Sequence, residues 1–418
     1  MVKYMTGLFA LIGLVLFGLG QEKLKEESLV VNIEVPVRVF EKGRFVPDLK
    51  LDDFELYEDG VLQKVDAVYL INKRTIERSE EKKKFVPKTN REFYLFFEIT
   101  EFLPRLGDAL EYFIEEVYFP GDRLTVVTPI KTYRLKDQTF ERLTKKEVVK
   151  QLREMLRRDA LIGSSDYRNA INSLAGLVKA LTAALAGGDA ESNTDARLVS
   201  RPDEFGAAAY KDLSLDLQLT TYAALLSKLD SLRFVDQKRL LDYAGFLKTK
   251  EGQKYVFLFY QKEFIPEIEP RIINQYLSLY QDRPDILHTV SGLFDFYKRD
   301  IPFDVDLIKR AYSDSTISMH FLYITKPPED IPGVRMEEHS EDIYAAFREM
   351  ALASGGFVDS SANPRALFRN AVEASETYYL VYYAPKNYRK SGQFKDISVR
   401  IKNRNDLRVV HRAGYYAN

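Results

Sequence analysis

The run FYLFFEI, Phe93–Ile99, limits what this chain can fold into more than any other stretch. A strand with one face in water alternates apolar and polar residues. A run without that alternation must be covered on both faces. KYVFLFY (Lys254–Tyr260) and TISMHFLYIT (Thr316–Thr325) read the same way, and PGDRLTVVTPI turns at Pro120-Gly121 into another buried strand. Helical patterns stand between these strands. One covers Phe102–Val117, with Leu106, Leu110, Phe113 and Ile114 on one side. Another, LTKKEVVKQLREMLRRD, opens with Thr144 and Glu147 at capping-box spacing. SEDIYAAFREMALASGG stops at Gly355-Gly356, and NPRALFRNAVEAS has Asn363 as its cap and Pro364 in its first turn. Buried strands alternating with helices predict an α/β fold, a parallel sheet with helices on both faces.

The flanks follow a different rhythm. SLVVNIEVPVRVF places Val31, Ile33, Val35, Val37 and Val39 on one face, as in a half-buried strand. DDFELYEDGVLQKVDAVYLIN reads as two strands around Asp59-Gly60, a strong hairpin signal. Past the last helix, TYYLVYYAP, FKDISVRIKN and LRVVHRAGYY are strand-like and antiparallel in style. They are expected to pack with the N-terminal strands, so that the α/β domain interrupts a β unit. YYLVYY fits equally well as the last strand of the α/β sheet. The charged segment Lys73–Glu92 reads as a linker, or as a strand edge followed by one.

These shifts divide the chain into a signal segment (1–20), an N-terminal β segment (28–75), an α/β domain (90–375) and a C-terminal β segment (376–418). Within the α/β domain, about 158–216 reads as a mobile insertion, because LAGGDAESNTDARLVSRPDEFGAAA is small, polar and glycine-bearing. DYRNAINSLAGLVKALTAAL before that stretch is helical. Met5–Gly20 is apolar after Lys3 and ends on Gly18-Leu19-Gly20. It reads as a secretory signal peptide cleaved before Gln21, the alternative being an uncleaved anchor.

The chain has 61 basic and 62 acidic residues, a balance that argues against nucleic acid or an anionic membrane surface as partner. With no cysteine there is no disulfide, thiolate metal site or cysteine nucleophile. A cysteine-free exported chain fits a bacterial periplasm or cell surface.

Taken together, LKLDDFELYEDGVLQKV, FPGDRLTVVT, LTTYAALLSKLDSL followed by EGQKYVFLFYQKEF, ASGGFV, YYLVYYAP and DISVRIKNRNDLRVVHRAGYYA give the chain its likeness. In order and spacing it resembles the von Willebrand factor A-type domain proteins of the acidobacterial type, exported proteins with a β segment on each side of the A domain. The resemblance implies a doubly wound, Rossmann-like sheet inserted between β segments that form a small β-sandwich-like unit. It also implies adhesion or protein–protein binding. Many such domains hold a divalent cation at the carboxyl ends of the strands through D-x-S-x-S, a later threonine and a later aspartate.

Carried onto this sequence, the first aspartate falls on Glu98 and the first serine on Thr100. The second serine falls on Phe102, which is no ligand. Thr220 or Thr221 takes the place of the later threonine. The later aspartate falls near Gln261, with Glu263 two residues on. Glu98 is one methylene longer than aspartate, and Mg²⁺ demands near-octahedral oxygen geometry. The expectation is therefore a degenerate site at Glu98, Thr100, Thr220, Thr221 and Glu263 with no cofactor, the alternative being Mg²⁺ or Mn²⁺.

No other motif offers chemistry. His288, His320, His339 and His411 lie on different elements, and His320, within a strand, reads as a core residue. RMEEHSEDIY reads as a solvated loop leading into a charged helix start. No G-x-S-x-G elbow, H-E-x-x-H pair or phosphate loop is present. The 26 tyrosines and 27 phenylalanines suit strands and cores, and equally an exposed binding face in YYLVYYAPKNY and AGYYAN. The expected function is that of an exported, non-enzymatic protein that binds an unidentified protein partner, without metal. The alternatives are a metal-dependent adhesin with an altered site and an envelope hydrolase.

Overall fold

A computed structural model describes residues 31–186, 206, 208–233, 235–284, 287–288, 303–314, 317–331, 334–386 and 388–418. The signal segment, its cleavage point and the polar middle of the 158–216 insertion lie outside the described residues.

The chain opens with β1 (Ile33–Glu41), β2 (Arg44–Phe45), β3 (Phe54–Glu58), β4 (Val61–Gln63), β5 (Val65–Asn72) and β6 (Thr75–Glu81). The β3–β4 turn is made by Asp59 and Gly60, both at positive φ, which favours glycine and tolerates aspartate. β6 extends beyond the segment boundary drawn at 75, so the charged stretch from Lys73 is a strand edge followed by a linker.

Next come β7 (Arg91–Glu98), α1 (Pro104–Tyr112, continued by a π turn at Phe113–Val117), β8 (Arg123–Val127) and β9 (Thr132–Leu135). Six helices follow: α2 (Asp137–Arg142), α3 (Lys145–Gly163), α4 (Ser165–Ala186), α5 (Ala208–Lys211), α6 (Leu215–Leu232) and α7 (Gln237–Lys248). Then β10 (Gln253–Gln261), β11 (Phe264–Glu267), α8 (Pro270–Leu279), α9 (Val305–Asp314), β12 (Ile317–Ile324) and β13 (Arg335–Glu338) appear. The chain closes with α10 (Glu341–Ala353), β14 (Val358–Ser361), α11 (Pro364–Glu376), β15 (Thr377–Tyr383), β16 (Phe394–Ile401), β17 (Arg408–His411) and β18 (Gly414–Tyr416).

The protein is mixed α/β. Its largest α/β layer is a six-stranded sheet in the order β14-β12-β10-β7-β8-β9. Five strands run parallel; β9 pairs antiparallel to β8 at the edge, where a purely parallel sheet is expected. Alternate residues of each strand enter opposite cores. Phe93, Leu95, Phe97, Tyr255, Phe257 and Phe259 pack with α1, α3 and α11. Tyr94, Val256, Leu258, Phe321 and Tyr323 pack with α7, α9 and α10. Every residue of β10 and β12 is buried, as their unbroken apolar runs require. Gly356 lets β14 reach β12, since a Cβ there would stand 1.7 Å from the Met319 carbonyl oxygen. Thr144 and Glu147 form the capping box, and Asn363 caps α11 with Pro364 in its first turn.

The flanking strands make two antiparallel sheets. One has the order β17-β1-β15-β5-β6, with β2 on β1; the other runs β18-β16-β3-β4. β15 therefore belongs to the flanking sheet and not to the parallel one. It lies between β1 and β5, with Val35 opposite Val381 and Val68 opposite Val381 on the other edge. Phe45 and Phe54 flank Tyr379 where the two antiparallel sheets meet, at ring distances of 5.5 and 5.2 Å.

Residues 158–216 differ from a mobile insertion wherever they are described. Leu174, Leu177, Val178 and Leu181 of α4 face Leu219, Tyr222, Leu226 and Leu229 of α6, and Ile265 and Ile268 close this core. Apolar residues at helical spacing make these pieces ordered elements; the polar composition belongs to the stretch between them.

At the amino end of β7, Arg91 and Asp122 form a buried pair, at 3.2 Å through Nε and 2.5 Å through Nη2. Asp122 also accepts from the Phe119 amide. Removing one partner of a buried pair strands the other charge. Asp122→Ala is expected to lower the unfolding free energy by about 3–5 kcal/mol in denaturant titration; a loss below about 1 kcal/mol, the level of a surface pair, would refute the account.

Candidate functional site

The carboxyl ends of parallel strands are where open α/β sheets gather their binding groups. Here Glu98 ends β7, and Tyr260 stands beside it in register on β10. Beyond them lie Thr100, Glu101, Gln261 and Glu263. Ser164, between α3 and α4, anchors the segment after β7 by donating to the Thr100 carbonyl at 2.5 Å.

Gln261 is the organising residue. It is almost fully buried. Its Oε1 accepts from the Thr100 amide (2.9 Å), the Thr100 hydroxyl (3.1 Å) and the Glu101 amide (3.1 Å). Its Nε2 donates to Glu101 Oε1 at 3.3 Å, an oxygen that also accepts from Lys326 Nζ at 2.8 Å. One side-chain amide thus satisfies two backbone donors that the β7–α1 turn leaves without partners. The Thr100 hydroxyl spends its proton on the same oxygen.

Glu263 is held just as firmly. Arg233, immediately after α6, donates Nε to its Oε2 at 2.5 Å, and Tyr260 donates its hydroxyl to Oε1 at 2.9 Å. Arg233 also donates to the His339 carbonyl. That places Arg233 against β11 and β13, a two-stranded antiparallel ribbon over the strand ends. The stretch RMEEHSEDIY is therefore a strand and a helix start, not a solvated loop. Glu338 pairs with Lys262 and accepts from Tyr323 at 2.7 Å, and His339 Nε2 meets Glu267.

Thr220 and Thr221 do not join this group. Both lie inside α6, where their hydroxyls donate to the carbonyls of Asp216 (2.8 Å) and Leu217 (2.6 Å). As candidates for the motif's later threonine they are corrected: hydroxyls inside a helix turn back on its own carbonyls. Glu98, Thr100 and Glu263 do gather at the strand ends. Phe102 packs, half-buried, against the core on the α1 side. Arg233, Lys326 and Gln261 complete the arrangement. No pattern of spacing announces the first two, because each reaches its partner across the fold.

A divalent cation requires open oxygen lone pairs. Gln261 Oε1 accepts from three donors, both Glu263 oxygens accept, from Arg233 and Tyr260, and Glu101 Oε1 accepts from Lys326 and Gln261, while the Thr100 hydroxyl is a donor here. Glu98 differs: no described residue hydrogen-bonds to its carboxylate. Solvent reaches its side chain from one side, while dense protein on the others desolvates it. That desolvation pushes the carboxyl up from 4.5 to about 7; the Arg239 charge opposes the shift and the Glu263 charge adds to it. Among the described residues no three histidine, aspartate or glutamate side chains come together as a cation site.

A carboxyl whose pKa is raised on folding favours the protonated native state. Between about pH 4.5 and 7 the native protein then binds more protons than the unfolded chain, and its stability falls as pH rises through this window. Glu98→Gln should remove that decline. In thermal unfolding from pH 5 to 8, the midpoint of the variant is expected to gain on the wild type steadily with pH. Parallel curves would show that Glu98 is not desolvated.

Comparisons of the chain with protein-family models, with curated proteins and with solved structures find no match.

Proposed function

We propose that the protein is an exported, non-enzymatic binding protein. Its α/β part is a doubly wound domain like the von Willebrand factor A type, inserted between β segments, and it recognises a protein partner without metal. The strand order supports the fold reading. Counting along the α/β part, the sheet runs third, second, first, fourth, fifth, sixth, with the chain reversing direction across the sheet between first and fourth. Helices on both faces are the expected companion of such an order.

The observation that carries the functional reading is charge satisfaction within the chain. Where an A-type domain would place a cation, this chain places the Arg233 guanidinium on Glu263, the Lys326 ammonium on Glu101 and the Gln261 amide on Thr100. A site neutralised by its own cations gains little from a further one. An exposed apolar patch adjoins it. Ile130, Leu161 and Ile162 are 40%, 55% and 52% exposed. Gly163 seats the end of α3 directly on Pro129 and Ile130, since a Cβ there would meet the Pro129 ring at 2.5 Å. The patch and the open Glu98 carboxylate share the carboxyl end of the sheet. Apolar residues beside a polar rim are the anatomy of a protein interface.

Two measurements test this. Calorimetric titration with Mg²⁺ or Mn²⁺ should give no stoichiometric heat; one equivalent bound at micromolar affinity would replace the reading with that of a metal-dependent adhesin. Capture of the partner from the native envelope should be unchanged by chelator. It should be lost by at least tenfold in Leu161→Glu/Ile162→Glu, with the thermal midpoint within about 2 °C of wild type. Retention of the partner by that variant would exclude this surface.

A further inference from the structure

The amino ends of the parallel strands rest on the flanking sheet, and in this seam two buried hydrogen-bond donors have no acceptor among the described residues. Arg38 of β1 reaches across it. Its guanidinium donates to the Gly355 carbonyl at 2.6 Å and to Ser318 Oγ at 3.2 Å. Arg38 is 4% exposed, and its Nε–H meets no acceptor among the described residues. The charged groups nearby do not balance it. Lys254 and Arg412 are buried in the same seam; Lys254 faces Glu34 and Glu92, and Arg412 faces Glu34 and Asp314, so these acids are shared with cations other than Arg38. Around Arg38 stand only the phenols of Tyr255 and Tyr378 and the imidazole of His320. The end of α10, through Gly355, offers it a partial negative charge and no more.

His320 supplies a second free donor. Its Nδ1 accepts from the Phe357 amide at 3.1 Å, so the ring proton is on Nε2. That Nε2–H is buried and without acceptor, in a residue 1% exposed. Ser318 and His320 are alternate residues of β12, so they share a face, and Arg38 already touches the first. The His320 ring stacks on Tyr255 at 6.3 Å, the Tyr378 hydroxyl lies against Tyr255, and Arg38 stands 5.9 Å over the Tyr378 ring. Arg38 and His320 are therefore neighbours in this corner of the seam, the Arg38 charge acting on the His320 ring.

Buried donors pair with something in nearly every folded protein, and a buried guanidinium needs a counter-charge. We propose that this corner binds a small inorganic monovalent anion of the halide class, held by the Arg38 Nε–H and the His320 Nε2–H. The burial of both residues selects against polyatomic anions. Such an ion would lock the flanking sheet to the α/β sheet, because its two ligands come from β1 and β12. Burial also keeps His320 neutral, its pKa held well below the ordinary value by desolvation and by the Arg38 charge, so the geometry holds across physiological pH.

The test is thermal unfolding of the full chain at constant ionic strength, with sodium gluconate replaced stepwise by sodium chloride. A ligand that binds only the native state raises the midpoint. The wild type should gain about 2 °C at tenfold excess over the dissociation constant, and the gain should go on rising with the logarithm of the chloride concentration. Arg38→Met and His320→Phe should each flatten the response. A wild type indifferent to chloride, or variants with the same response, would overturn the proposal. Should neither variant fold, crystals of the wild type grown in bromide decide. An anomalous peak within hydrogen-bond reach of Arg38 Nε and His320 Nε2 supports the site; its absence rejects it.

Discussion

Strand β15 is hydrogen-bonded along both edges, to β1 on one side and to β5 on the other. All else in the arrangement follows from that pairing. The two partners come from the first part of the chain and β15 from its last quarter, so the whole α/β part is held between them. With the flanking sheet closed in this way, Arg38, Lys73, Arg74 and Ala413 meet the amino ends of the parallel strands and the carboxyl ends of their helices. Lys73 donates its amide to Glu376, Arg74 donates to Pro120, and Ala413 donates its amide to Ala353. The opposite end of the parallel sheet is left clear of the β segments, and there the open carboxylate and the exposed apolar residues sit.

The two ends of the parallel sheet handle charge in different ways. At the carboxyl end, acids predominate and the chain brings its own cations to them from α6 and from the segment after β12. At the amino end, buried cations from the flanking sheet and from β7 and β10 stand among Glu34, Glu92, Asp122 and Asp314, and Arg38 alone of the described arginines there meets only carbonyl, hydroxyl and aromatic groups. Both are consequences of burial: a group removed from water must find a partner, and the partner comes from whichever element packs over it. Apart from Glu98, the strand-end acids are thereby fixed in place by partners within the chain.

Much of this architecture was legible in local pattern. Unbroken apolar runs disclosed β7, β10 and β12, because burial on both faces leaves no room for polar residues. Thr144-x-x-Glu147 and Asn363-Pro364 marked helix starts by short-range hydrogen bonds that need no tertiary context. β9 was missed: Thr132–Leu135 has alternating exposure on an edge and a length of four residues, so its signal is weak. The ribbon of β11 and β13 was missed for the same reason, and its acidic composition resembled a solvated loop. Glu98, Thr100 and Glu263 came from laying the resembled family's motif on the chain, and the three do gather at the strand ends. Thr220 and Thr221 were candidates only because the family's motif was carried onto the chain by order; they lie inside the helix α6 and spend their hydroxyls on its own carbonyls. Arg233 and Lys326 were invisible to sequence, since nothing local distinguishes a cation that pairs across the fold from one that faces water.

The central place of β15 also bears on how the chain acquires its structure. Glu34 and Tyr382, which share a hydrogen bond, are 348 residues apart. Closing so long a loop before any contact rewards it is slow, so β1 and β5 must wait with open edges while the α/β part assembles on its own local contacts. Waiting edges invite pairing with other molecules. β6 answers that hazard: its outward TIERSEE sequence shields the free side of β5 with glutamate and arginine, the composition that discourages a stray strand from adding there. The charged strand edge thus guards the nascent chain until its last strands arrive.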